Sequence, residues 1–128
     1  MARQNVSTGG PWEGKIGYSR AVRVGQSVSV SGSTAMTPSG LVGKEDAYAQ
    51  TIQTFKTIEA ALKQAGASLS DVVRTRIYMA NIDQWQEVGR AHGEIFGTIR
   101  PATTMVEVKR LIDPDMLVEI EADAIVSA

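Results

Sequence analysis

The last part of the chain holds the residues best suited to chemistry. Glu119 and Glu121 lie two residues apart, so in a β-strand both side chains point to the same side. Val118 and Ile120 flank Glu119, which favours partial burial of its carboxyl group. A partly buried carboxyl group tends to have a raised pKa, and it can orient a water molecule or transfer a proton. Glu121 fits a solvated surface charge equally well.

Two hydroxyl groups and one histidine are further candidates. Tyr18 and Ser31 fall near the ends of a predicted hairpin, although taken alone an edge residue and a turn residue describe them better. His92 is the only histidine and the chain has no cysteine, so a metal site would need several carboxylates. We expect His92 to be a partly exposed packing residue, and we expect no metal site.

Two well-known catalytic or binding motifs are absent. Residues 40–45 resemble a phosphate-binding loop, but the spacing is one residue short. Glu45 also stands where Ser or Thr would hold Mg²⁺. No Gly-x-Ser-x-Gly elbow supports a serine triad. Neither nucleotide binding by such a loop nor serine hydrolase chemistry is therefore predicted.

Length and charge limit the possible classes. The 128 residues suit one domain covering residues 1–128, with an irregular N-terminal arm over residues 1–15 that Trp12 anchors to the core or to a neighbouring subunit. The net charge of -1 argues against a general nucleic-acid binder. No apolar run is long enough to span a bilayer, and the N-terminus does not resemble a signal peptide. We expect a cytoplasmic protein with no membrane partner.

The first half of the chain predicts a hairpin followed by a helix. Residues 18–31 alternate around a turn at Gly25 and Gln26, which is typical of a β-hairpin. A short edge strand follows near residues 41–42. Apolar residues then recur every three or four positions, which predicts a helix that begins near Asp46 and ends at Gly66.

The second half predicts a strand, a helix and two more strands. Residues 71–79 alternate as a strand, and a helix is expected to begin at an Asp83 cap, to bury Trp85 and to end at Gly97. Gly89 and Gly93 within this helix suggest that something approaches its backbone closely. The final strands, over residues 103–111 and 116–126, are predicted to form a hairpin through a turn at residues 113–115.

The resulting order, ββ(β)αβαββ, predicts an α+β domain with one sheet and two helices on one face. The other face carries acids among apolar residues. It must therefore face solvent, a partner subunit or a lined cavity, because a dry core would not hold unpaired acids.

Several segments together resemble the Rid family of small trimeric proteins (the YjgF group, also labelled endoribonuclease L-PSP). The resemblance covers nearly the whole chain. It is carried by Arg100-Pro101-Ala102, Glu119-Ile120-Glu121-Ala122, Val28-Ser29-Val30-Ser31-Gly32, residues 65–73 and Ile77-Tyr78-Met79.

The resemblance implies a chorismate-mutase-like fold, ββαβαββ with one mixed sheet, that forms a homotrimeric barrel. The sheets would line the inside, and small-molecule pockets would lie between subunits. The best-known members hydrolyse imines and enamines such as 2-aminoacrylate to 2-keto acids and ammonia. They use neither a cofactor nor a metal, and a glutamate positions the attacking water.

Carried onto this chain, the resemblance implies that Glu119 is the catalytic glutamate. The substrate-binding positions would be Tyr18, Ser31, Gly32, Gly89, Pro101, Ala102, Thr103 and Met105. Two of them depart from the family pattern. Thr103 replaces the arginine that grips the substrate carboxylate, and Gly89 replaces an asparagine. Threonine offers one neutral hydroxyl in place of a bidentate cation. Arg76, Arg90 and Arg100 are the arginines that could substitute from elsewhere in the sequence.

We therefore expect a Rid-like hydrolase or deaminase that acts on an imine, an enamine or a related metabolite and is inefficient on 2-aminoacrylate. The alternative is a non-catalytic metabolite-binding or regulatory trimer. The endoribonuclease or translation-inhibitor role of some relatives fits least, because the chain lacks a basic strip rich in aromatic residues.

Overall fold

The computed structural model describes residues 2–127. Its strands and helices follow one another as β1 (Arg3–Val6), α1 (Pro11–Ile16), β2 (Ala21–Val24), β3 (Ser27–Ser33), β4 (Met36–Thr37), β5 (Gly40–Leu41), α2 (Ala47–Gln64), β6 (Val72–Met79), α3 (Trp85–Phe96), β7 (Ala102–Glu107) and β8 (Val118–Ile125). Short 3₁₀ helices at Leu69–Asp71 and Ile82–Gln84 precede β6 and α3. No helix in this part of the chain is long and apolar enough to cross a membrane.

Six strands form one mixed sheet in the order β1-β2-β3-β8-β6-β7. All neighbouring strands are antiparallel except β6 and β7, which run parallel. Buried residues alternate along the central strands and face α2, as Val30, Ile77 and Ile120 do. The predicted α+β class with one mixed sheet is confirmed, and so is the first hairpin, which is formed by β2 and β3.

The predicted hairpin between the last two strands is wrong. β6 lies between β7 and β8, so these two strands do not pair. The chain passes from β6 through α3 to β7, and such a crossover returns the chain parallel to the strand it left. The residues that follow β7 then carry the chain across to the far side of β6. Both strands are also shorter than predicted, since they span Ala102–Glu107 and Val118–Ile125.

The irregular arm predicted for residues 1–15 is also incorrect in its details. Residues Arg3–Val6 pair with β2 as an edge strand, and Pro11–Ile16 form a short helix. Glu13 holds this region together, because its buried carboxylate accepts hydrogen bonds from Ser7 Oγ at 2.8 Å and Thr8 Oγ1 at 2.7 Å. Trp12 is 60% exposed, so it does not anchor the arm to the core of its own chain.

The ends of α2 are fixed as the sequence predicted. Asp46 Oδ1 accepts a hydrogen bond from the Ala49 backbone N–H at 3.0 Å, which caps the start of the helix. Gly66 follows its end at a φ of 78°, a value that glycine adopts without strain. Arg23 Nη1 also donates to the Ala65 carbonyl at 2.7 Å, so strand β2 holds the end of the helix.

Asp46→Ala is expected to lower the free energy of unfolding by about 1 kcal/mol, because the cap is lost. In a domain of this size the melting temperature should fall by about 4 °C. Asp46→Asn keeps an accepting oxygen and should change stability by only a few tenths of a kcal/mol. Thermal unfolding of the three proteins checks the prediction, and equal losses in both variants would contradict it.

The second long helix starts differently from the prediction. Asp83 is not its cap. Asn81 Oδ1 accepts from the Asp83 N–H at 3.0 Å and caps the 3₁₀ turn Ile82–Gln84, whereas Gln84, the residue before α3, makes no side-chain capping hydrogen bond. A 3₁₀ turn then precedes α3, and Trp85 is 52% exposed because it sits at the first turn. Apart from chain neighbours and the backbone of α3 itself, no atom within residues 2–127 lies within 4 Å of where a side chain at Gly89 or Gly93 would begin, so no other element of this chain makes the predicted close approach.

Strand β6 contains an irregularity that sequence alternation does not reveal. The register with β8 shifts between Val72 and Arg74, which puts both Val72 and Thr75 on the buried face. Beyond this shift, Arg76 and Tyr78 lie on the face away from the helices, opposite Glu121 and Glu119 of β8. The open face of the sheet therefore carries the acids, as predicted.

Candidate active site

Glu119 lies on β8 beside an irregularity in β3. The register between these strands shifts between Val30 and Ser33, at the position of Gly32. A Cβ atom at Gly32 would overlap a Glu119 carboxylate oxygen and lie 3.2 Å from Glu119 Cδ. Only glycine therefore lets the Glu119 side chain lie across β3 in this position.

The Glu119 carboxylate is half-buried and unpaired. It forms no hydrogen bond or ion pair with any group in residues 2–127. Burial raises the pKa of Glu119; the charge of Arg20 opposes this rise and the charge of Glu121 adds to it. An accessible carboxylate with free lone pairs and a raised pKa is suited to orienting water and accepting a proton.

Its neighbour Glu121 is already engaged. The Tyr78 hydroxyl donates to Glu121 Oε1 at 2.8 Å, and Arg76 Nη1 lies 3.6 Å from the same oxygen. The Tyr78 hydrogen bond to Glu121 and burial raise the pKa of Tyr78. Arg76 also donates to Asp123 at 3.0 Å. Of the two acids that the sequence singled out, Glu119 alone is free to act on a ligand.

Ser31 directly precedes Gly32 on β3, and Tyr18 lies between α1 and β2. They line a depression of about 540 Å³ together with Glu13 and residues of β1 and β2. The Tyr18 hydroxyl has no hydrogen-bond partner within residues 2–127 and is available to a ligand. Ser31 Oγ donates to the Ser19 carbonyl at 2.6 Å, so only its lone pairs remain for a ligand.

Glu13 positions Tyr18. Its carbonyl accepts the Tyr18 N–H at 2.9 Å at the end of α1, and its carboxylate holds the preceding loop. Burial alone would raise the pKa of Glu13, but hydrogen bonds from Thr8 and Ser7 outweigh it, and the net pKa is lowered. Glu13 is therefore a charged structural anchor.

Arg20 is a further candidate for the site, which the sequence did not indicate. Its Nη2 donates to the Gly32 carbonyl at 2.8 Å, and its guanidinium carbon lies 5.7 Å from the centre of the Tyr18 ring. Nε is buried without a partner. Alternation in the sequence does place Arg20, just before β2, on the same side as Val22. It does not show which strand end lies beside Glu119, so Arg20 could not be linked to that carboxylate.

The arginines considered from sequence are placed elsewhere. Arg76 is held by Asp123 and Glu121, as described above. Arg90 lies 3.9 Å from the centre of the Tyr48 ring and donates to Glu87 at 3.1 Å. Arg100 is exposed and has a φ of 56° just before β7. Arg20 is thus the arginine that shares the surroundings of Glu119.

The remaining predicted site residues form a second group at the β7 edge of the sheet. Thr103 pairs with Thr75, and Met105 pairs with Ile77, so both side chains point to the helix side. Pro101 and Ala102 begin this strand, and Gly89 faces open space on α3. β7 is two strands away from β8, roughly 10 Å at the usual strand spacing.

A single chain therefore does not bring all the predicted residues together. Glu119, Gly32, Ser31 and Tyr18 lie on the open face, whereas Thr103 and Met105 point to the opposite side of the sheet. Among residues 2–127, no three His, Asp or Glu side chains come together in a way that could hold a metal ion.

Glu119→Gln is expected to raise the melting temperature at pH 7, because it removes a half-buried, unpaired charge. Because folding raises the pKa of Glu119, the folded state binds the proton more tightly than the unfolded state. Above the raised pKa the buried charge costs stability, and glutamine removes that cost.

The gain should shrink as the pH falls from the raised pKa towards the ordinary value of 4.5, and it should vanish below that value, where the glutamate is neutral in both states. Melting curves between pH 4 and pH 8 measure it. Glu59→Gln, at an exposed position on α2, is the matched control and should show little change at pH 7. A lower melting temperature of Glu119→Gln at pH 7 would contradict the prediction.

The fold and the site together define a class: an α+β domain whose open sheet face carries a free glutamate packed over a glycine. The sequence profile of the family described as Endoribonuclease L-PSP matches residues 13–126. The chain belongs to this family, which is also known as the Rid, YjgF or RutC family.

Solved and curated relatives agree with this assignment. The crystal structure of Rv2704 from Mycobacterium tuberculosis, a YjgF/YER057c/UK114 family member, is 53% identical and covers 98% of this chain and 100% of its own, with a TM-score of 0.90. An uncharacterised Streptomyces coelicolor protein is 40% identical over 96% of this chain and 92% of its own. A Salmonella typhimurium protein named 2-iminobutanoate/2-iminopropanoate deaminase is 30% identical over 84% of this chain and 86% of its own. The predicted YjgF-type fold is thereby confirmed.

Proposed function

We propose that this protein hydrolyses a small imine or enamine to a carbonyl compound and ammonia, with Glu119 positioning the attacking water. The observation that carries the proposal is the half-buried Glu119 carboxylate, which has no partner in residues 2–127 and lies over Gly32. The name of the Salmonella relative, an imine deaminase, supports the same reaction class.

The chemistry needs only a base and a water molecule. Glu119 accepts a proton as the water oxygen attacks the imine carbon, and a new C–O bond forms while the C=N π electrons move to nitrogen. The proton on Glu119 then passes to the nitrogen of the tetrahedral adduct, which gives a neutral hydroxyl-amine adduct and an ionised Glu119. Glu119 next accepts the proton of the new hydroxyl group and donates it to the same nitrogen, so that the C–N bond breaks, ammonia leaves, the carbonyl group forms and Glu119 is again ionised. An enamine enters the same sequence after protonation at carbon to give its imine.

We propose that the working site is shared between subunits of a homotrimer. Glu119 and Thr103 face opposite sides of one sheet, so one chain alone cannot enclose a small ligand with both. A neighbouring copy that brings its β7 edge against the open face would supply Thr103, Met105 and Gly89. The open face carries charged groups that suit a lined cavity better than a dry core.

We further propose that the protein belongs to a subgroup that lacks the carboxylate-gripping arginine of the best-known deaminases. Thr103 stands at that position and offers one neutral hydroxyl. Arg76 and Arg90 are held by other partners in the structure. The preferred substrate is therefore an imine other than the one derived from 2-aminoacrylate.

Ammonia release from a panel of imines generated in the reaction mixture tests the function. Catalysis above the spontaneous rate is expected for at least one imine, with little acceleration for 2-aminoacrylate. The panel includes both carboxylated and uncharged imines, because the residue at position 103 is proposed to set the preference between these two kinds of substrate. If no imine is hydrolysed faster than in buffer, the proposal is wrong.

The second candidate is a metabolite-binding trimer without catalysis, and the missing arginine favours it. In that case metabolites would raise the melting temperature while no imine is turned over. Cleavage of RNA is the least favoured role, because the net charge is -1. RNA cleavage that survives repurification and is lost in Glu119→Gln would reverse this order.

A further inference from the structure

Three side chains at the β7 edge form a continuous hydrogen-bonded group. Thr75 Oγ1 lies 3.0 Å from His92 Nε2 and 2.8 Å from Thr103 Oγ1. Thr103 Oγ1 lies 3.4 Å from His92 Nε2 and donates to the Pro101 carbonyl at 3.2 Å. We name these three residues the hydroxyl–imidazole relay. It connects the family's substrate position to a histidine that the proposed reaction does not use.

The relay runs from the core to the surface. Thr75 is fully buried, and His92 is half-buried between aromatic rings, 5.7 Å from the ring centre of Phe55 and 4.8 Å from that of Phe96. Burial lowers the pKa of His92, so the imidazole is neutral at physiological pH. Thr103 is exposed and is the member that a ligand can reach.

A neutral imidazole allows two directions of hydrogen bonding. In the first, His92 Nε2–H donates to Thr75, Thr75 donates to Thr103, and Thr103 donates to the Pro101 carbonyl or to a ligand. In the second, Thr103 donates to Thr75, Thr75 donates to Nε2, and the Thr103 oxygen accepts a hydrogen bond from a ligand. Switching requires only the other histidine tautomer and two hydroxyl rotations.

We propose that His92 and Thr75 determine substrate specificity, by making Thr103 a reversible hydrogen-bond donor or acceptor for a neutral polar group such as an amide. A carboxylate is only an acceptor, and it needs charged or multiple donors to replace its hydration, which the relay lacks. A primary amide both donates and accepts, so it can match either direction. The inference rests on the proposed function in placing Thr103 at the substrate.

The single histidine makes the relay directly observable, because His92 gives the only side-chain imidazole ¹⁵N signals. The test titrates the full-length protein with pyruvamide and, separately, with pyruvate. The two probes have the same shape, but pyruvamide carries a neutral amide where pyruvate carries a carboxylate. Thr103 donates to the Pro101 carbonyl in the structure, and an amide N–H that donates to the Thr103 oxygen favours the second direction, so pyruvamide is expected to move the His92 signals towards the tautomer in which Nε2 accepts. It should also bind about tenfold more tightly than pyruvate.

Thr75→Val keeps the size of the buried side chain but removes the connecting hydroxyl. In this variant the His92 signals should respond much less to pyruvamide, because only the longer 3.4 Å contact between Thr103 Oγ1 and His92 Nε2 remains, and Thr103→Val should abolish the response. Thr104→Val is the matched control, because Thr104 is the next residue on β7 and points to the other side of the sheet. It should retain the full response. Thr103→Arg should reverse the preference in favour of pyruvate.

Two results would overturn the inference: His92 signals that ignore pyruvamide, or signals that respond equally to both probes. These outcomes are separate from the fate of the proposed reaction. Imine turnover with a silent His92 would remove this inference alone. A His92 response to pyruvamide without any imine turnover would keep the relay as a specificity element of a binding protein.

Discussion

Glu119→Gln is expected to lower the rate of ammonia release by about 10²- to 10⁴-fold, the usual contribution of a positioned acid–base group. Glutamine keeps the size of the side chain and can still contact a water molecule, but it cannot accept the proton. Initial rates on the best imine of the panel measure the effect. The melting temperature of the variant, which should rise at pH 7, shows that the loss does not come from unfolding.

Glu121→Gln is the matched control for this result. Glu121 lies on the same strand and the same face, but it is bound by Tyr78 and Arg76. Its replacement should change turnover by only a few fold. Equal losses in the two variants would mean that the charge of the open face matters and that no single carboxylate positions the water.

The pH dependence of turnover by the wild-type protein is a second test of Glu119 as the base. The base must be ionised to act, so turnover should rise as the pH passes through the pKa of Glu119. Because burial raises that pKa, the acid limb should lie above the ordinary glutamate value of 4.5. An acid limb at or below that value would show that Arg20 fully offsets the effect of burial.

Local patterns predicted the elements whose boundaries depend on local contacts. The apolar stripe, Asp46 and Gly66 were enough to define α2, since capping and helix periodicity involve residues a few positions apart. The hairpin of β2 and β3 followed from a two-residue turn at Gly25 and Gln26 in the same way.

The pairing of the last strands depended on contacts that sequence spacing does not reveal. The sequence pattern here is two alternating segments joined by an Asp-Pro-Asp turn. This pattern is the same whether the two strands pair with each other or have a third strand between them. The parallel partner of β7 is β6, which lies one helix earlier in the sequence. The same limit explains the Val72–Arg74 irregularity, which shifts the register only because β8 lies alongside.

Sequence indicated candidate residue types for the site but not their surroundings. Glu119 was singled out because an unpaired acid in an apolar strand costs free energy, so its presence there suggests a role. Arg20 and Thr75 were missed, because an arginine at a strand end and a threonine in a strand are ordinary in sequence. Their importance comes from the Gly32 carbonyl and from His92, which only the folded chain brings to them.

Gly32→Ala is expected to reduce turnover by about 100-fold, because the added methyl group would overlap the Glu119 carboxylate. Displacing a catalytic group by about 1 Å is enough for an effect of this size. The same overlap should lower the free energy of unfolding by only about 0.5–1.5 kcal/mol, because the end of the Glu119 side chain can rotate away from the added methyl group. Initial rates and chemical denaturation measure the two effects.

Gly93→Ala separates this overlap from the general effect of replacing glycine. Apart from its chain neighbours and the backbone of α3 itself, no atom within residues 2–127 lies within 4 Å of a Cβ at Gly93, which is in the last turn of α3. Alanine should therefore stabilise the helix by up to about 1 kcal/mol and leave turnover unchanged. Loss of activity in both variants would point to a shared need for glycine that has nothing to do with Glu119.

The double variant Gly32→Ala with Glu119→Ala gives the decisive comparison for stability. Once the carboxylate is removed, the methyl group has room, and Gly32→Ala should then cost less than about 0.5 kcal/mol. The coupling free energy between the two positions should therefore account for most of the single-variant loss. If Gly32→Ala is equally destabilising without the Glu119 carboxylate, then the contact with Glu119 is not the reason that this position excludes a side chain. The β3 backbone itself would then require the glycine.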